Sequence, residues 1–295
     1  MNRLLEGKVA IVTGAGRGIG RGIALLMAEN GAKVVVNDVA SGGEQPAEEV
    51  VQEIKKKGGE AVASQESVAD PESAEKIIKK ALDTFGRLDI LVNNAGILRD
   101  RMVFNMTPEE WDAVLKVHLY GHFYCTKHAA AVFRQQRSGR IINVGSRSGL
   151  GNKGQANYAA AKEGIIGFTR TVARDMGGYG VTCNAIRPTA ATRMTVSPEM
   201  MLARQRSGRA DSLSQLEKLL PEDIAPFVVY LASDQAAHIN GYDFYVAGGM
   251  VGIYSLPTIT KSIHKQGRWT VEELCQIVPQ TIAEGLINPA PPKKE

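Results

Sequence analysis

The sequence is short of cysteine, of long apolar runs and of charge of one sign, and each shortage removes a class of function. Its three cysteines, Cys125, Cys183 and Cys275, are scattered, with no spacing that suggests a disulfide framework or a zinc site. Such usage suits reduced thiols and a cytoplasmic protein. No stretch approaches the ~20 apolar residues that a membrane-spanning helix needs. The first apolar run, Val9-Ala10-Ile11-Val12, is too short for the core of a signal peptide, so no membrane is expected as a partner. With 35 basic against 31 acidic residues the formal net charge is only +4, and no basic stripe interleaves with aromatics. Nucleic acid is therefore not expected as a partner either. No internal repeat is visible.

What remains is a chain of 295 residues with 44% hydrophobic content, enough to bury a sizeable core. Short β-branched runs at 9–13, 33–37, 61–64, 88–93, 140–144 and 181–186 read as strands. Helical patterns lie between them at about 18–30, 43–57, 71–85, 107–137 and 156–176. A further helix near 222–233 precedes a last short strand at 243–246. Two helix starts are marked by a capping residue before a proline, at Asp70-Pro71 and Thr107-Pro108, the second with Glu110 in the capping-box position. Nearly all-apolar strands alternating with helices predict an α/β fold, a doubly wound and mostly parallel sheet with helices on both faces. Residues 1–254 are expected to form one catalytic domain, with a substrate-loop insertion carrying a short helix at 189–221. Residues 255–295 form a C-terminal extension with a helix near 271–284, which covers the chain's own cleft, packs across a subunit boundary, or is frayed.

The chemistry concentrates in three places. The first strand runs into Thr13-Gly14-Ala15-Gly16-Arg17-Gly18-Ile19-Gly20, where glycines permit a tight turn and backbone N–H groups approach a pyrophosphate at a helix start. The spacing is T-G-x-x-x-G-x-G, since Ile19 stands where G-x-G-x-x-G has its third glycine. Asp38, after the second strand, is placed to accept hydrogen bonds from both ribose hydroxyls and to repel a 2′-phosphate, which predicts NAD. Arg17 argues for NADP, because a guanidinium in that loop pairs with such a phosphate. Asn93-Asn94-Ala95-Gly96 closes the fourth strand with small residues and amides that suit close approach of a cofactor.

Tyr158 and Lys162 stand one helical turn apart, with Ser146 upstream. A free tyrosine titrates near pH ~10, so its use as a base near neutrality requires a lowering worth roughly 4 kcal/mol. A neighbouring ammonium supplies part of that by favouring the phenolate. Ser146 is then placed to hold an alcohol or carbonyl oxygen while Tyr158 moves the proton. His118 and His122 share an i,i+4 spacing, but no third ligand follows and no metal is expected.

Together these motifs resemble the short-chain dehydrogenase/reductase family over about residues 6–252, through the turn at 13–20, Asn93 to Gly96, Ser146, Tyr158, Lys162 and Arg187-Pro188. The resemblance implies a Rossmann fold and an NAD or NADP cofactor. It implies Tyr158 as acid/base, Lys162 as its pKa-lowering partner and ribose ligand, and Ser146 as the substrate-positioning hydroxyl. It also implies cofactor contacts at Gly14, Gly16, Arg17, Gly18, Ile19, Gly20, Asp38, Ser67, Val68, Asn94, Ala95, Gly96 and Pro188, and a homotetramer or homodimer. Three positions depart from the pattern. His118 stands where the family has a catalytic asparagine, Ser148 rivals Ser146, and Thr189 follows Pro188 where glycine is usual.

A narrower similarity is to the (3R)-hydroxyacyl-CoA dehydrogenase part of peroxisomal multifunctional enzymes. It rests on 93–101, the Val117-His118-Leu119 run, 154–158 and Arg193-Met194-Thr195. That similarity implies a 3-hydroxyacyl-CoA substrate, with Arg99, Arg101, Arg193, Arg204, Arg206 and Arg209 available to CoA phosphates. An NADPH-linked ketone, 3-oxoacyl or steroid reductase is the alternative, and a non-catalytic dinucleotide-binding regulator the remote one.

Overall fold

The computed structural model describes residues 3–192 and 216–291. Residues 193–215, which hold most of the predicted insertion and its short helix, lie outside the described residues, as do Arg193, Met194, Thr195, Arg204, Arg206 and Arg209. The chain divides into two compact units, Met1–Tyr254 and Ser255–Glu295.

In the first unit the β-branched runs become strands because they bury both faces. All five residues of β1 (Val9–Thr13) are buried, as are the four of β4 (Ile90–Asn93) and the six of β5 (Gly139–Val144). With β2 (Lys33–Asn37), β3 (Ala61–Ser64), β6 (Val181–Pro188), β7 (Asp243–Ala247) and β8 (Met250–Ile253) they form one sheet in the order β3-β2-β1-β4-β5-β6-β7-β8. Seven strands are parallel, and β8 turns back antiparallel on β7. β8 is unanticipated: it is short, carries Gly252, and shows solvent Met250, Val251 and Ile253, so the alternation that betrays a strand is missing.

Alternate side chains of each strand serve opposite layers. Ala10 and Val12 of β1 pack with α1 (Gly18–Glu29), α2 (Pro46–Lys56) and α7 (Ala225–Ala232), through Ile23, Met27, Val50, Ile54 and Val228. Val9 and Ile11 face α3 (Pro71–Phe85), α5 (Gly121–Gln136) and α6 (Ala156–Gly177), through Ile77, Phe133 and Met176. Two apolar layers on one sheet make the doubly wound architecture. The chain leaves β1 toward β2 and β3, then returns to place β4 on β1's other edge. The crevice at the carboxyl ends of β1 and β4 is thus a topological switch point.

Local signals fix the ends of several helices. Asp70 accepts a 2.7 Å bond from Ser73 N at the start of α3, which stops at Gly86 in a left-handed conformation, φ 77°. Thr107 and Glu110 form a reciprocal capping box on α4 (Pro108–Leu115). The single helix predicted over 107–137 is instead α4, a π-helical turn at Lys116–Tyr120, and α5. That turn carries His118 and re-aims it relative to the regular helix. Cys125 and Cys183 are free and buried, and burial pushes the Cys125 thiol up to about 12.

In the second unit α8 (Val271–Ile277) starts at a capping box of Thr270 and Glu273 and is joined by a Lys265–Glu273 ion pair. It ends well before 284. Val278 keeps helical dihedrals, φ −60° and ψ −44°, but Pro279 has no backbone N–H to continue the ladder, which the predicted span overlooked. Among the described residues no helix is long and apolar enough to cross a membrane.

Candidate active site

The glycine turn after β1 is built for close approach. Gly14 holds φ 62°, and a Cβ there would lie 2.7 Å from Ala95 Cα, while one on Gly20 would collide with Gly14 O. Asn94 clamps the turn from the β4 side, its Nδ2 donating to Thr13 O at 3.0 Å and Gly14 O at 2.9 Å. Thr13 Oγ1 accepts in return from Asn94 N and Ala95 N at 3.0 and 3.1 Å. The start of α1 has no side-chain cap and no acidic residue in its first turn, unlike α3 and α4. An uncapped helix start facing the switch-point crevice suits a phosphate group, so the residues present fit a dinucleotide.

At the outer end of β2, Asp38 Oδ2 accepts the Gly16 N–H at 2.9 Å. Arg17 pairs with Glu44, carried by a small turn in which Ser41 and Glu44 exchange backbone hydrogen bonds across Gly42 and Gly43. Asn37 ties β2 to the chain after β3, donating to Glu66 O at 2.9 Å, and so sets Ser67 and Val68 beside the crevice.

The residues predicted to move the proton come from three elements. Tyr158 and Lys162 rise from the first turns of α6, Ser146 follows β5, and His118 comes from the π-helical turn. Buried Asn157 orients the tyrosine: its Oδ1 accepts Tyr158 N at 2.7 Å while its Nδ2 donates to Arg99 O and Glu110 O. The Ser146 hydroxyl accepts Ser148 N at 3.1 Å and stands close enough to Tyr158 to lower its pKa. The Ser146 carbonyl accepts from Arg187 at 3.1 Å. Arg187, only 2% exposed, also pairs with Asp243 and Glu163 at 2.8 Å each. One buried guanidinium thereby joins the serine loop to α6 and β7.

The electrostatics differ from the sequence expectation. Lys162 lies 5.6 Å from the Tyr158 ring but donates to Val144 O at 2.6 Å, and burial lowers its own pKa to about 7. Tyr158 is raised to about 12, by burial first. The Ser146 hydroxyl lowers it, and the charge of half-buried Asp100 raises it. In the chain by itself burial thus outweighs any lowering of the phenol by Lys162, whose own amine is desolvated.

His118 packs edge-on against Tyr158, ring centroids 5.1 Å apart, and its Nε2 lies 2.8 Å from Ile97 O. A Cβ on Gly96 would run into that ring. Burial, and secondarily the Lys162 charge, holds His118 well below its ordinary pKa and His122 at about 3, so both rings are neutral. His118 therefore braces the tyrosine and the 94–98 loop without carrying charge. Among the described residues no His, Cys, Asp or Glu cluster is able to hold a metal ion.

These groups line one cleft of about 1350 Å³. Every predicted catalytic and cofactor residue borders it except Gly16, which sits behind it and acts through Asp38. Glu44, Asn152 and Gln155 are among the bordering residues to which the sequence reading gave no site role. Gln155 donates to Asp100 at 2.7 Å and accepts from Asn152 at 2.7 Å, linking the loops on either side of the mouth. The Gly42-Gly43 turn facing Arg17 was the available signal for Glu44. Gln155 lies in the 154–158 run already singled out, but nothing there pointed to its bond with Asp100.

A family model described as Enoyl-(Acyl carrier protein) reductase matches residues 14–251. A 3-oxoacyl-[acyl-carrier-protein] reductase of Synechocystis is 46% identical over 84% of this chain and 98% of its own. The hydroxyacyl-CoA dehydrogenase ChsB1 of Mycobacterium tuberculosis is 44% identical over 92% of this chain and 87% of its own. Peroxisomal multifunctional enzyme type 2 of Mus musculus is 44% identical, over 84% of this chain but 32% of that longer protein. The crystal structure of a short chain dehydrogenase from Mycobacterium avium superposes with a TM-score of 0.83 at 43% identity, over 95% of this chain and 96% of that one. Sequence, topology and the grouping of Ser146, Tyr158 and Lys162 converge: the chain belongs to the short-chain dehydrogenase/reductase family and is an oxidoreductase.

Proposed function

We propose that this chain is an NAD-dependent dehydrogenase of secondary alcohols, acting on a 3-hydroxyacyl-CoA. The observation that carries the cofactor reading is Asp38, a carboxylate bordering the cleft at the carboxyl end of β2, where a 2′-phosphate would meet negative charge. Gly14, Gly18, Ile19 and Gly20 would hold the pyrophosphate, Asp38 the adenosine ribose, Ser67 and Val68 the adenine side, and Asn94 to Gly96 with Pro188 the nicotinamide end. A nicotinamide held by these residues would supply the hydride acceptor. Ser146 holds the substrate oxygen, and Tyr158 takes the hydroxyl proton as the carbinol hydrogen leaves with its electron pair. In the reverse direction Tyr158 returns that proton to the carbonyl oxygen. Lys162, when charged, favours the phenolate. With its pKa at about 7, it is poised between the two states near neutrality.

The acyl-CoA reading is supported by the relatives whose names carry hydroxyacyl-CoA, and Arg99 and Arg101 stand near the mouth through Asn157 and the Arg101–Gly154 backbone bond. The reductase relative and Arg17 at the cleft favour a second reading, an NADPH-linked reduction of 3-oxoacyl groups. We place the enzyme in the cytoplasm as a homodimer or homotetramer.

The test measures reduced-nicotinamide formation with 3-hydroxyacyl-CoAs, hydroxysteroids and simple alcohols, with NAD and NADP in parallel. Turnover of (3R)-hydroxyacyl-CoA with NAD in clear preference is the expected result. Preference for NADP, or turnover confined to another substrate class, overturns the corresponding half of the proposal.

A further inference from the structure

The nucleotide end of the cleft holds more charge than a single discriminating acid. Asp38, Glu44 and Arg17 all border it. Arg17 is the one side chain of the three with the right charge to hold a 2′-phosphate, and its guanidinium is engaged by the Glu44 carboxylate. Glu44 is not a chance neighbour on a long flexible loop. Its backbone N–H donates to Ser41 O at 3.0 Å, and Ser41 N returns a 3.3 Å bond to Glu44 O. Gly42 and Gly43, at φ 58° and 83°, close the turn, and Pro46 opens α2 two residues later. The turn therefore presents Glu44 toward the glycine loop from the opposite wall.

We infer that Glu44 is a second specificity-determining residue, which favours NAD by occupying Arg17 and adding a negative charge where NADP carries its 2′-phosphate. This rests on the NAD reading above and deepens it. Asp38 repels the phosphate directly, whereas Glu44 acts by withholding the cation that would compensate the repulsion. Two carboxylates against one guanidinium leave the ribose end with net negative charge. Neutralising Glu44 alone removes that excess and releases Arg17 together, so one substitution should relax the preference. The Arg17–Glu44 pair is partly exposed, 35% and 60%, which limits the effect to the scale of one solvent-screened charge-assisted contact.

The experiment compares kcat/KM for NAD and NADP, and their equilibrium binding by titration, in the wild type, Glu44→Gln, Glu44→Asp and the double variant Glu44→Gln with Arg17→Gln. The expected result is that Glu44→Gln lowers the NAD-to-NADP ratio by about two- to fivefold, the size of one solvent-screened charge contact, mostly through tighter NADP binding. Glu44→Asp, which keeps the charge, should retain most of the preference. The double variant should lose the gain in NADP binding, because the released guanidinium is its source. A wild type that prefers NAD while Glu44→Gln leaves the ratio unchanged overturns this inference and leaves the Asp38 reading standing. A gain that survives removal of Arg17 also overturns it. A wild type that prefers NADP overturns both together.

Discussion

Replacing Lys162 with methionine should stabilise the cofactor-free fold while removing activity. The amine is buried, and its pKa falls from an ordinary 10.5 to about 7 because burial penalises the charged form. From about pH 7 to 10.5 the unfolded chain therefore holds a proton that the folded chain sheds, and folding stability rises with pH. Below about pH 7 both states are protonated and the penalty is fully present, roughly 5 kcal/mol at 1.36 kcal/mol per pH unit. Methionine removes that penalty. It also leaves Val144 O without its 2.6 Å donor, which costs about 1–2 kcal/mol. The net gain at neutral pH is on the order of 3 kcal/mol. The assay is urea unfolding without cofactor, between about pH 6 and pH 10. Lys162→Met should be the more stable of the two at neutrality, and the gap between the two curves should close toward the alkaline end. A variant less stable than the wild type at pH 7, or two parallel curves, would refute the reasoning.

Three further outcomes follow from the geometry. Tyr158→Phe should lower kcat by about 10²–10⁴-fold while NAD binding persists, as judged by titration; full turnover would remove the phenol from the chemistry. Gly96→Ala drives a methyl into the His118 ring and should cost roughly 1–3 kcal/mol in unfolding together with a fall in kcat, and an unaltered enzyme would show that the ring gives way freely. Arg187→Met removes a buried cation from Asp243, Glu163 and the Ser146 carbonyl, with an expected loss of about 3–5 kcal/mol; an unfolding midpoint near wild type would contradict the structural role assigned to that guanidinium.

The six runs read from 9 to 186 all became strands, because parallel strands covered on both faces spell themselves out as continuous β-branched residues. The glycine turn, Asp38 and the Tyr158–Lys162 pair were legible for a related reason: each depends on a fixed local spacing or on a strand end. What was not legible depends on contacts between distant segments. Nothing in Val117-His118-Leu119 announces a π-helical turn, and nothing around Gln155 announces its bond to Asp100. That burial raises Tyr158 in the chain by itself was not legible, because sequence shows that a lysine is adjacent but not that it is desolvated. Pro279 was readable and was overrun: the helical pattern beyond it continues in the sequence but not in the backbone.

The strand order has a consequence for how the chain is made. β1 to β4 and the whole glycine turn are encoded before residue 94, whereas the strand that covers the open edge of β4 begins at Gly139. At ~5–20 residues per second, the roughly 45 intervening residues take about 2–9 s to synthesise. During that interval an apolar edge, Ile90-Leu91-Val92, has no neighbour on one side, the kind of edge that pairs with another nascent chain. Tyr158 and Lys162 follow on the next helix, so the glycine-turn half of the sheet exists on the ribosome before the tyrosine proposed to move the proton.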